Sequence, residues 1–69
     1  MIQGLTEIEK RTLMEYSQGL TYKQIGIVIH RNHETVKSIL RKINYKLDVS
    51  NNRLALSKAI VMNIIEPKF

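Results

Sequence analysis

Residues 32–47 read Asn-His-Glu-Thr-Val-Lys-Ser-Ile-Leu-Arg-Lys-Ile-Asn-Tyr-Lys-Leu, and this stretch decides the fold. Val36, Leu40, Ile43 and Leu47 recur at the spacing that keeps one stripe of an α-helix against a core, and Ile39 widens the stripe. With Lys37 set at zero and about 100° added per residue, the apolar set occupies roughly −160° to −60°. His33, Asn44, Lys37, Arg41, Glu34, Tyr45, Ser38 and Lys42 spread over roughly −40° to +140°. The spacing predicts a helix with one buried face and one basic, hydrogen-bonding face.

A charged helix face is ordinarily a solvated one. Here the charge is segregated. Between Thr21 and Lys46 the chain carries Lys23, Arg31, Lys37, Arg41, Lys42 and Lys46 against Glu34 alone, which accounts for the whole formal net charge of +5. Elsewhere Lys10, Arg11, Arg53, Lys58 and Lys68 cancel Glu7, Glu9, Glu15, Asp48 and Glu66. A basic footprint gathered on one helix and its neighbour is what phosphate binding with counterion release requires.

Just upstream, Thr21-Tyr22-Lys23-Gln24 is a capping box that opens a short helix. Ile25, Val28 and Ile29 form its inward side. Ile25-Gly26-Ile27-Val28-Ile29 has strand propensity, but the helix-start chemistry before it favours helix. Gly26 has no side chain to keep another helix at a distance. His30 and Arg31 form the turn and Asn32 caps the next helix. Two helices joined by so short a turn, the second of them basic, make a helix-turn-helix.

Further out, Thr6-Glu7-Ile8-Glu9 is a second capping box, with Leu5 placed as its hydrophobic staple and Met1 to Leu5 as a loose arm. This first helix should place Ile8, Thr12, Leu13 and Tyr16 inward and stop at Gly19, which takes the left-handed conformation without steric cost. After Leu47 the chain turns through Asp48-Val49-Ser50, and Asn51 caps a last helix that Pro67 ends. Ala55, Leu56, Ala59 and Ile60 are its expected packing stripe. Leu54, Val61, Met62 and Ile65 are left over, either folded back into the core or, with Lys58, forming a self-association face. The expected architecture is all-α: a single domain over residues 1–69, with four helices at roughly 7–18, 22–29, 33–47 and 52–64.

Composition narrows the function classes. Sixty-nine residues without cysteine allow no disulfide framework and none of the usual structural zinc sites. No apolar run approaches the roughly 18 residues of a membrane span, and Met1-Ile2-Gln3-Gly4 lacks the features of a signal peptide, so a cytoplasmic protein is expected. His30 and His33 have no thiol or carboxylate company suited to a metal, and there is no glycine-rich phosphate loop. The close carboxylates Glu7 and Glu9 are explained by helix capping. These features point away from an enzyme and imply no cofactor and no metal.

The residues also carry a family resemblance. Leu5-Thr6, Glu9, Leu13, Gly19, Lys23, Ile25, Thr35-Val36-Lys37, Ile43, Lys46-Leu47, Val49, Asn51, Ala55 and Ala59 follow one another without insertion in the pattern of the LuxR-type (GerE-type) helix-turn-helix domain of bacterial transcription regulators. The resemblance implies a four-helix domain that binds double-stranded DNA as a homodimer, the third helix in the major groove and the fourth at the dimer contact. By position it assigns Lys37, Ser38 and Arg41 to base edges, and Lys23, Thr35, Lys42, Tyr45 and Lys46 to phosphates. The fork of Arg41 suits guanine on independent grounds. RNA polymerase or another regulator would be a further partner. The chain departs from the family pattern at Ile8, Gly26, His30 and Ile39, and its Arg53 is displaced by one position. A competing reading keeps the fold but makes it a protein-interaction module that modulates another regulator without reading DNA.

Overall fold

A computed structural model of the protein describes residues 4–66. The described chain is all-α: α1 Glu7–Ser17, α2 Tyr22–Ile29, α3 His33–Lys46 and α4 Asn52–Val61. Each helix opens on a side-chain cap. Thr6 and Thr21 both close full capping boxes, with Glu9 and Gln24 returning to the cap N–H, while Asn32 and Asn51 accept from the N–H of Thr35 and Leu54. Pro67, expected to end the last helix, and Met1–Gln3 of the expected arm lie outside the described residues.

The helix ends share a device that the sequence signals most plainly at Gly19. One left-handed residue follows each helix: Gly19, His30, Asp48 and Asn63, with φ of 85°, 59°, 55° and 58°. After the last three, paired backbone bonds close Schellman motifs, as in Arg31 N–H to Gly26 O (2.8 Å) and Ile64 N–H to Ala59 O (2.8 Å). Histidine, aspartate and asparagine are the non-glycine residues that tolerate this region best. The closure at Asn63 ends α4 at Val61 rather than near residue 64 and turns the chain back, so that Ile65 enters the core with 5% exposure.

At the centre is α3, which packs against α1, α2 and α4. Val36, Ile39, Leu40, Ile43 and Leu47 are all buried, meeting Leu13 from α1, Ile25 and Ile29 from α2, and Ala55 and Ala59 from α4. The small alanines let α4 lie close. Ile60, expected in the packing stripe, is instead 37% exposed. Apolar side chains surround α4, so periodicity alone could not choose its inward face. Gly26 also serves a different contact from the one expected: a Cβ there would collide with the backbone oxygen of Arg31. What approaches α2 is the α2–α3 turn, not another helix.

Polar contacts tie the layers together. Glu9 is buried, and its Oε1 accepts from the Thr6 N–H at 2.8 Å and from Lys46 Nζ at 2.7 Å. Burial pushes the Glu9 carboxyl up, but Lys46 and the bonds with Thr6 outweigh it and hold the group below its ordinary value. Asn44 Nδ2 donates to Asn52 Oδ1, and Asn52 Nδ2 donates to the Tyr22 hydroxyl, so α3, α4 and α2 are linked in series.

Candidate nucleic-acid interface

The polar face of α3 is built by the same repeat that builds its core face. Lys37, Ser38, Arg41 and Lys42 are exposed, and Tyr45 is 79% exposed. Lys37 and Arg41 stand one helical turn apart on one arc. Among the described residues, neither they nor Lys42 or Lys23 make an ion pair, whereas Lys10, Arg11 and Lys46 are engaged by carboxylates. Of the described cations without a carboxylate partner, Lys37, Arg41 and Lys42 lie on α3, Lys23 at the start of α2 and Arg31 in the turn between them, with Arg53 and Lys58 apart on α4. Such an arrangement can neutralise a run of phosphates and, through the arginine fork, address a base edge.

Not every residue expected at the interface is available to it. Lys46 is held by Glu9 at 2.7 Å, with only 20% of its side chain exposed. Its position on α3 falls about 180° from Lys37, toward α1. The backbone N–H of Thr35 is already spent on Asn32 Oδ1 at 2.9 Å, and the side chain is half-buried. On α4, Leu54, Val61 and Met62 are exposed, with Val61 at 81%, and Ile60 joins them. Ile65 is in the core instead. Lys58 is half-buried and its ammonium donates to Leu47 O at 2.8 Å, capping the carbonyl end of α3.

One feature was not anticipated from the sequence. Lys23, Gly26, His30, Arg31, Asn32 and His33 line an open recess of about 460 Å³ between α2 and the start of α3. Arg31 Nη1 donates to the carbonyl of His30 at 3.1 Å, and His33 Nε2 meets Glu34 Oε1 at 3.2 Å. The run His30-Arg31-Asn32-His33 was visible in the sequence, but its convergence with Lys23 depends on how the turn folds over Gly26.

No protein-family model and no solved structure matches the chain. It is 35% identical over 60 residues to the transcriptional activator protein CarR of Pectobacterium carotovorum subsp. carotovorum. That alignment takes in 87% of this chain and 25% of the relative. The chain thus spans about a quarter of the length of the protein it resembles. No described helix is long and apolar enough to cross a membrane, and no group of three or more His, Cys, Asp or Glu residues able to hold a metal occurs among the described residues.

Proposed function

We propose that the protein is a LuxR-type transcription regulator of the bacterial cytoplasm that binds duplex DNA as a homodimer, with α3 in the major groove. The observation that carries this reading is the division of α3 into a core face and an exposed cationic face whose Lys37, Arg41 and Lys42 have no carboxylate partner among the described residues. The similarity to a transcriptional activator supports it. Lys37, Ser38 and Arg41 read base edges, and Lys23, Thr35, Lys42 and Tyr45 position the backbone. Lys46 contributes its charge only by leaving Glu9. Dimerisation uses the apolar side chains of Leu54, Val61 and Met62, extended by Ile60, and half-sites lie about one helical turn apart.

Selection of bound sequences from a random duplex library tests this, with wild type and the Lys37→Ala/Arg41→Ala double variant compared at near-physiological salt. An inverted repeat enriched by the wild type and lost in the variant is the expected result. On that site Arg41→Ala should cost about 1–3 kcal/mol and relax preference at one base pair. An equal loss on random DNA would refute base reading by Arg41. No enrichment by a folded wild type would favour the interaction module and a protein partner for the exposed side chains of α4.

A further inference from the structure

Both histidines of the chain, His30 and His33, line the same recess beside the DNA-reading helix. The convergence has a structural cause. His30 sits at φ 59°, closing α2, and the turn after it lies flat on α2 because Gly26 has no Cβ to meet Arg31. This carries Arg31, Asn32 and His33 back toward Lys23, one helical turn before Ile27. The charged groups facing the imidazoles are Lys23 from α2, Arg31 from the turn and the exposed Glu34 from α3, which meets His33 Nε2 at 3.2 Å. Among the lining residues there is no carboxylate. The recess thus pairs two fixed cations with two imidazoles, and the carboxylate in contact with them is that of Glu34 on His33.

We propose that this recess is a proton-linked phosphate site: it takes a phosphodiester of the DNA backbone, and His30 and His33 bind protons as the phosphate enters. The proposal rests on the DNA-binding reading above and adds a regulation to it. Histidine is the side chain whose charge changes between about pH 5 and 8. A phosphodiester stays anionic throughout that range, so it favours the imidazolium and accepts hydrogen bonds from it. By linkage, DNA affinity then falls as pH rises through the range in which the bound histidines lose their protons. Lys23 and Arg31 hold the phosphate at any pH, and the histidines grade the grip.

The test is affinity for the duplex enriched by selection, or failing enrichment for a random-sequence duplex, at pH 6 and pH 8 and constant ionic strength. Wild type is compared with His30→Asn/His33→Gln, asparagine being chosen because it tolerates the left-handed conformation at position 30. Wild-type affinity should drop by about tenfold between the two pH values, and most of that ratio should vanish in the variant. The salt slope should be steeper at pH 6, and binding heats in buffers of different ionisation enthalpy should report net proton uptake in the wild type. Equal affinities at the two pH values, or a pH ratio unchanged in the folded variant, would overturn the proton link while leaving DNA binding intact. Failure of the folded wild type to bind either duplex at either pH would overturn the DNA reading, and this proposal with it.

Discussion

Glu9 concentrates several constraints in one carboxylate. It closes the capping box of α1 and, through the same oxygen, receives the Lys46 ammonium from α3. Its carboxyl is held below the ordinary value, so the folded state gains from its ionisation. That contribution is present in full above about pH 5 and is lost as the pH falls through the depressed value. Glu9→Gln should therefore destabilise the fold by about 1–3 kcal/mol, because glutamine can still cap but leaves Lys46 partly buried and uncompensated. Urea unfolding between pH 7 and pH 3 checks this: the gap between wild type and variant should narrow toward low pH, and a constant gap would refute the assignment. The capping half of this role could be read from Thr6-Glu7-Ile8-Glu9, since its partners are three residues apart. The ion pair could not, since its partners are 37 residues apart and meet only when α1 lies along α3. The helical wheel did hold a hint, because Lys46 falls off the basic arc.

Between helices, the position of α3 is set by backbone contacts as well as by its core side chains. Arg31 N–H reaches Gly26 O at 2.8 Å, and the Arg31 carbonyl rests where a Cβ of residue 26 would be. Gly26→Ala gains helix propensity but forces the turn away from α2, and overpacking of this kind costs about 1–3 kcal/mol. A lowered melting temperature is expected; an unchanged or raised one would show that the turn gives way freely. Helix starts were legible because Thr6, Thr21, Asn32 and Asn51 are capping residues that act over three positions. Helix ends were less so. Asp48 and Asn63 take the left-handed role usually signalled by glycine; Asp48 opens a turn that the sequence shows, whereas Asn63 lies inside an apolar run that reads as continuing helix. Sequence periodicity therefore runs α4 past its end, and of the two places it leaves for Ile65, core or self-association face, the turn at Asn63 selects the core.

At the scale of the whole domain, the core and the charge distribution were both visible in the sequence, since five inward positions of one helix and a run of unpaired cations set them. What remains exposed on α4 is the test of assembly. Val61 has 81% exposure, so Val61→Glu should leave the melting temperature of the isolated chain nearly unchanged. On the proposed homodimer it should shift sedimentation to that of a monomer, and binding to an inverted repeat should weaken toward that of a half-site. A dimer that survives both Val61→Glu and Met62→Glu would place self-association elsewhere. The two-faced character of α3 has a consequence for how such a protein can diverge. None of the core side chains of α3 is among Lys37, Ser38 and Arg41, and the helix is held by that core together with the backbone contact of Arg31 on Gly26. Those three positions can therefore be rewritten in combination while the scaffold keeps its stability, so on the proposed DNA reading duplicated copies would acquire separate vocabularies of target sites without refolding.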